Sequence, residues 1–161
     1  MFDNFGNFNS YEEINMSAEG MFNEGDFEGI KVLAKENGLE PEDAELYING
    51  ETICLCVDAG TAAIGKLEVE AAEMKIDELM RDWVDYIESL CFYSEEVSRN
   101  VRKSEKSLEG CIAALLKWSF GHQHDINDKI KKAAGVNASK VTFGIPGMNT
   151  AKKIIREYYG G

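Results

Sequence analysis

The chain has 161 residues, a formal net charge of −12 and 44% hydrophobic residues. Its length is typical of one domain with its own core, and its hydrophobic content sets it apart from disordered chains. No run of about 18 apolar residues occurs, so the sequence predicts no membrane-spanning helix. The succession of capped segments with apolar spacings of three and four, taken in order below, predicts a mainly α, single-domain irregular helical bundle over residues 1–161.

The first part of the chain is typical of short helices separated by glycines. Ser10 and Glu13 form a capping-box pattern, which predicts the start of the first helix. Gly25 and Gly38 suit the ends of the first and second helices. Pro41 suits the first position of a third helix, because its missing N–H group is not needed there.

Residues 51–64 leave two alternatives open. Ile53, Val57 and Ile64 fit one face of a helix. The apolar run from Ile53 to Val57 fits a buried strand equally well. We favour a helix here, because no second strand that would pair with this run lies nearby in the sequence.

The most regular pattern covers residues 66–93, where apolar residues recur at alternating spacings of three and four. They are Val69, Ala72, Ile76, Leu79, Trp83, Tyr86 and Leu90. This spacing predicts one long central amphipathic helix around which the bundle is organised. Its opposite face is acidic, and five of its carboxylates form the predicted acidic ridge: Glu70, Glu73, Asp77, Asp85 and Glu88.

Charge is distributed unevenly along the chain. The acidic helical part, residues 1–100, has 24 acidic and 6 basic residues, giving −18, whereas the basic C-terminal subregion, residues 101–161, has 5 and 11, giving +6. Two interpretations stand: the two parts lie against each other and partly cancel, or the acidic part binds a basic partner. At most a minor strand is expected near residues 140–145.

The residues with catalytic or metal-binding chemistry form no recognisable site in the sequence. His122 and His124 with Cys54 and Cys56 give four possible zinc ligands, but the spacing of the cysteines differs from that of structural zinc sites. No residue pattern places a base beside a cysteine nucleophile. The glycine-rich loop at 144–147 lacks the spacing of a phosphate-binding loop. We therefore predict no metal, no cofactor and no enzymatic activity.

The amino terminus lacks the basic and apolar regions of a signal peptide. We accordingly expect a cytoplasmic protein with no membrane partner, whose four cysteines are reduced thiols.

The basic subregion supports an alternative function, which is nucleic-acid binding. Clustered positive charge is what phosphate contacts require. The residues concerned are Lys129, Lys131, Lys132, Lys140, Lys152, Lys153 and Arg156. The net negative charge of the whole chain opposes nonspecific binding to DNA. The competing interpretation is that these residues form a basic face that contacts only solvent.

Several segments resemble small acidic proteins of bacterial prophages and conjugative elements, some of which are similar to inhibitors of CRISPR effector nucleases. These segments are 9–15, 33–39, 41–45, 106–111, 144–148 and 151–159. The Lys106–Cys111 stretch is also similar to part of the PcfK-like conjugal-transfer proteins.

The resemblance implies an anti-CRISPR protein of a mobile element or phage, whose partner is a host CRISPR effector nuclease. The channel of such a nuclease is positively charged because it holds nucleic-acid backbone. We therefore expect the acidic ridge to bind that channel as a DNA mimic. Nucleic-acid-binding regulation of element transfer, or an adaptor role in it, remains the alternative.

Overall fold

The computed structural model describes residues 4–160. Within this range the chain forms nine helices and one two-stranded sheet: α1 Tyr11–Glu24, α2 Phe27–Glu36, α3 Pro41–Ile48, α4 Ala59–Met74, α5 Glu78–Tyr93, α6 Glu95–Arg102, α7 Leu108–Gly121, β1 His124–Asp125, α8 Asp128–Ala133, β2 Thr142–Phe143 and α9 Met148–Tyr159. The mainly α class is therefore confirmed. Among these helices, none has both the length and the apolar character needed to cross a membrane.

Two hydrophobic clusters form the interior. The N-terminal core is built by α1 to α3, the loops after α2 and before α4, and the first turn of α4. Its members are Ile14, Ala18, Ile30, Leu33, Ala34, Leu39, Ala44, Leu55, Cys56 and Ala62. The C-terminal core is built by α4 to α7 and α9, and its largest buried members include Leu67, Trp83, Ile87, Leu108, Leu115, Ile155 and Tyr159. Helix α4 faces both clusters, with Ala62 in the first and Leu67 in the second.

The start and end signals predicted for the first three helices are confirmed. The Ser10 hydroxyl accepts a hydrogen bond from the Glu13 N–H at 3.3 Å. Gly25 ends α1 in the left-handed conformation, with φ of 75°, which glycine adopts without a steric penalty. Pro41 is the first residue of α3.

Residues 51–58 are neither the predicted helix nor a strand, and α4 begins only at Ala59. The side chain of Asn15 explains this loop. Its amide oxygen accepts hydrogen bonds from the N–H groups of Leu55 and Cys56, and its amide nitrogen donates to the Cys56 carbonyl. These bonds replace the backbone partners that a helix or a strand would supply.

The predicted long helix over 66–93 is wrong in one respect, because the chain turns back in its middle. Helix α4 ends at Met74 and α5 starts at Glu78. Lys75 and Glu78 have φ of 53° and 47°, so both lie in the left-handed region. The reversal lets α5 pack against α4 and bury its apolar face in the C-terminal core, including Trp83. A straight helix would carry that face away from α4.

The C-terminal subregion contains the predicted minor strand. Thr142 and Phe143 form β2, which pairs antiparallel with β1, so that Phe143 is opposite His124. The strand β1 was not predicted, because two residues are too short to show an alternating pattern. Helix α9 follows the sheet and begins at Met148.

We predict that Trp83→Ala destabilises the protein strongly. Trp83 is 6% exposed and lies in the C-terminal core, so truncation leaves a cavity that costs about 3–5 kcal/mol. Phe92→Ala is the matched control on the same helix, because Phe92 is 75% exposed. Urea unfolding should show a large loss for the first variant and little change for the second. Equal unfolding curves for Trp83→Ala and the parent would contradict this burial.

Candidate functional site

Glu70, the first residue of the predicted acidic ridge, is buried and does not face solvent. It is only 4% exposed. Its carboxylate accepts a hydrogen bond from the Leu108 N–H at 2.6 Å and lies 3.8 Å from the Lys66 ammonium. Burial raises the pKa of the Glu70 carboxyl, while the Leu108 N–H and Lys66 act in the opposite direction. The ridge assignment of Glu70 is therefore wrong, since the residue points from α4 towards the start of α7.

Lys66 belongs to the same buried network. Its ammonium donates hydrogen bonds to the backbone carbonyls of Val101, Lys103 and Lys106, at 2.9, 3.2 and 2.7 Å. These carbonyls lie at the end of α6 and in the loop that follows it. Burial lowers the pKa of Lys66 to about 8, and the Glu70 carboxylate opposes that shift. Lys66 thus fixes the α6–α7 connection against α4.

Arg102 is the second buried cation, a role that its sequence context did not predict. Its guanidinium donates to the Phe8 carbonyl at 2.6 and 3.0 Å, to the Ala62 carbonyl at 3.3 Å and to the Asn37 amide oxygen at 3.0 Å. Burial lowers the pKa of Arg102 to about 10. The only sequence signal was its position next to Val101, which continues the apolar spacing from Val97. The other arginine of α6, Arg99, is exposed.

An exposed acidic surface remains where α4 and α5 meet. We call it the acidic corner and define it as Glu73, Asp77, Glu78 and Asp82. Two of these residues, Glu73 and Asp77, belong to the predicted ridge. Within residues 4–160, no Lys or Arg nitrogen lies within 4.0 Å of these four carboxylates. The turn between the helices therefore gathers four negative charges at one end of the α4–α5 hairpin.

The two remaining ridge residues belong to an ion-pair cluster around Arg81. The guanidinium contacts Glu68 and Asp85 at 2.6 Å each, and Glu88 at 3.1 Å. Hydrogen bonding to Arg81 lowers the pKa of Glu68. Burial, together with the neighbouring Glu68 carboxylate, raises the pKa of Glu88 to about 7. Asp85 and Glu88 are thus partly neutralised and differ from the acidic corner.

The basic residues form two separate groups. The first lies around α8 and the sheet: Lys129, Lys131, Lys132 and Lys140. Lys131 is bound to Asp128 at 2.7 Å, and Lys140 lies 4.0 Å from Asp125. The second group lies on α9: Lys152, Lys153 and Arg156.

The α9 group contacts the acidic part of the chain through an aromatic ring. The Lys152 ammonium and the Arg156 guanidinium lie 4.8 and 5.8 Å from the centre of the Tyr86 ring on α5. Such cation–π contacts attract the basic helix to α5. These contacts place α9 against α5, but the Tyr86 ring is uncharged, so they do not show the charge cancellation that one interpretation expects.

The cysteines and histidines form no common site in the described part of the chain. Burial raises the pKa of Cys56, Cys91 and Cys111 to about 12, which keeps these thiols protonated and unreactive at neutral pH. His122 is exposed and stacks on Trp118, with ring centres 4.0 Å apart. Across residues 4–160, no three His, Cys, Asp or Glu residues are grouped as a metal site would require.

Comparison of the chain with protein-family models, curated proteins and solved structures finds no match. The candidate site with the clearest physical character is the acidic corner, an exposed group of carboxylates on α4, on α5 and in the turn between them. Such a group is suited to binding a positively charged surface.

We predict that Glu88 makes the protein less stable as the pH rises from about 4.5 to about 7. The pKa of Glu88 rises from its ordinary value of 4.5 to about 7 on folding. A carboxyl with a raised folded-state pKa stabilises the fold while it is protonated, and that contribution disappears as the group ionises. Glu88→Gln should therefore flatten this part of the stability–pH curve, measured by urea unfolding. A curve for Glu88→Gln that falls as steeply as the parent curve would contradict the assignment.

Proposed function

We propose that the protein is a non-enzymatic inhibitor that binds the basic nucleic-acid-handling surface of a host CRISPR effector nuclease. The acidic corner is the observation that carries this proposal. Glu73, Asp77, Glu78 and Asp82 are exposed and free of ion pairs with the rest of residues 4–160. The sequence resemblance to mobile-element inhibitors supplies the class of partner.

The mechanism is competition for a positive channel. A channel that holds nucleic acid carries Lys and Arg side chains, which bind phosphates chiefly through charge. Carboxylates held on a helical hairpin replace those phosphates at little conformational cost, because the α4–α5 backbone is already ordered by the C-terminal core. The proposed binding surface therefore differs from the predicted acidic ridge. It keeps Glu73 and Asp77, adds Glu78 and Asp82, and omits the buried Glu70.

Asp85 and Glu88 have a secondary part in this mechanism. Their pairing with Arg81 reduces the charge that they offer to a partner. The same pairing holds Arg81 between α4 and α5, because Glu68 lies on α4. They therefore order the surface next to the acidic corner.

A second candidate function is nucleic-acid binding by the basic residues of α9. Lys153 and Arg156 are exposed on this helix, and Lys152 lies beside them. Lys153 has a carboxylate partner at 3.8 Å, Glu157, and the contacts of Lys152 and Arg156 with Tyr86 leave their charges unneutralised. These residues would contact phosphates, and a helix carrying them would favour duplex or single-stranded DNA without reading its sequence.

We predict that a charge-reversed acidic corner no longer inhibits the nuclease. The variant carries Glu73→Lys, Asp77→Lys and Asp82→Lys, and leaves Asp85 intact because its reversal would break the ion pair with Arg81. The parent protein should protect a target plasmid in a CRISPR cleavage assay, and the variant should not. Exposed charges contribute little to folding, so both should melt at nearly the same temperature.

A matched control reverses three exposed carboxylates elsewhere: Glu42→Lys, Glu45→Lys and Glu51→Lys. It changes the net charge equally but should retain protection. Equal loss in both variants would show that net charge, and not the acidic corner, is responsible. Failure of the parent to protect against a panel of CRISPR effectors would reject the inhibitor proposal. A salt-sensitive shift of labelled DNA that Lys153→Glu with Arg156→Glu abolishes would favour the second candidate.

A further inference from the structure

The connection between α4 and α5 is strained at both ends. Lys75 and Glu78 have φ of 53° and 47°. Residues other than glycine, asparagine and aspartate rarely adopt such positive φ angles. Asp77, the residue before α5, makes no capping hydrogen bond with its side chain. The N–H groups of Lys75 and Ile76 donate to the carbonyls of Ala72 and Ala71 at 3.2 and 2.9 Å, which satisfies the end of α4. Across residues 4–160, the side chains of Lys75 and Glu78 add no hydrogen bond or ion pair that stabilises their left-handed conformations.

The sequence of the same connection is compatible with a continuous helix. It contains no glycine or proline between Met74 and Glu78. The apolar spacing of three and four continues through it, from Ala72 to Ile76 to Leu79. Local propensity therefore favours a straight helix, whereas packing within one molecule imposes a turn.

This turn separates two parts of the chain that are joined by many specific contacts. Residues 4–74 carry α1 to α4, and residues 78–160 carry α5 to α9. The buried bonds of Lys66, Glu70 and Arg102 all cross from one part to the other. None of these bonds involves the connection itself. They form equally well whether the two parts come from one molecule or from two.

We propose that a second copy of this chain is a binding partner, through exchange of residues 78–160 about a straightened α4–α5 connection. In the exchanged dimer, α4 and α5 of one chain form a single helix over 59–93. Residues 4–74 of each copy then pack against residues 78–160 of the other. The dimer then contains two complete copies of the interior of the monomer. Lys75 and Glu78 of each chain adopt helical backbone conformations. Short strained connections of this kind favour such exchange.

The balance between monomer and dimer then depends on the connection and on concentration. Every other contact is the same in both forms, so the dimer gains the relief of strain and the added helical hydrogen bonds. Association costs translational and rotational freedom, which the monomer retains. High protein concentration during folding therefore favours the dimer. This inference does not depend on the proposed inhibitor function.

The first test compares two double variants at the connection. Lys75→Gly with Glu78→Gly removes the left-handed strain and weakens the straight helix, so the dimerisation constant should fall at least ~100-fold. Lys75→Ala with Glu78→Ala removes the same side chains but keeps the strain and the helical propensity, so it should dimerise at least as well as the parent. Each full-length protein is refolded from urea at increasing concentration and analysed by size exclusion with light scattering, against a monomer mass of 17.9 kDa.

The second test distinguishes exchange from side-by-side association. Arg99 on α6 pairs with Glu12 on α1 at 2.8 Å, so this ion pair crosses between the two parts. Glu12→Arg and Arg99→Glu each place like charges together in a closed monomer. In an exchanged heterodimer of these two variants, one interface has the reversed pair and the other has the original pair. An equal mixture refolded together should therefore give more dimer than either variant alone.

Three results would overturn the proposal. One is a parent protein that remains monomeric after refolding at the highest attainable concentration. Another is a dimer that the Gly double variant forms as readily as the parent. The third is a mixture of Glu12→Arg and Arg99→Glu that dimerises no better than its components. Dimerisation lost only in the Gly double variant, with heterodimer enrichment in the mixture, would support exchange.

Discussion

Two buried cations hold the fold together, and the rest of the structure depends on them. Lys66 and Arg102 are each 1% exposed, and together they bind backbone carbonyls or side chains from α4, α6, the residue that follows α2 and the segments before α1 and α7. Charges this deeply buried are tolerated only when their donors are satisfied. The backbones of Gly65 and Asn37 also lie in close contact, since a Cβ atom on Gly65 would overlap the Asn37 carbonyl oxygen. The two hydrophobic cores are thus joined by directional bonds as well as by α4.

This arrangement places the acidic residues in three different roles. Glu70 is part of the buried network and supports the start of α7. Glu68, Asp85 and Glu88 surround Arg81 and tie α5 to α4. The residues at the corner of the hairpin face solvent, and the proposed inhibitory surface is limited to them. The same strained corner is the connection about which exchange with a second copy is proposed, so the two proposals concern neighbouring residues but separate experiments.

Much of the fold was accessible from local sequence, because caps and glycine-terminated helices are local features. Ser10, Gly25 and Pro41 act as their residue types predict. The turn at Lys75 was not accessible, because the residues around it favour helix and only packing of α5 on α4 reverses the chain. The burial of Glu70 was equally hidden. Its partner Leu108 is distant in sequence, and periodicity alone cannot show that a charged position on α4 faces another helix.

The claim that buried cations join the two cores is tested most directly by urea unfolding of Arg102→Met, monitored with two probes. Trp83 in the C-terminal core and Trp118 on α7 both lie in residues 78–160, so their fluorescence reports on that part of the chain, whereas far-UV circular dichroism reports on all helices. Loss of the guanidinium leaves the Phe8 carbonyl and the Asn37 amide oxygen without donors, at about 1–3 kcal/mol for each group that stays buried, whereas the Ala62 carbonyl keeps its helical partner within α4. We expect coincident midpoints in the parent. In the variant, the dichroism midpoint should fall below the fluorescence midpoint, because α1 to α3 unfold first. Midpoints that stay coincident and unchanged in Arg102→Met would contradict this claim.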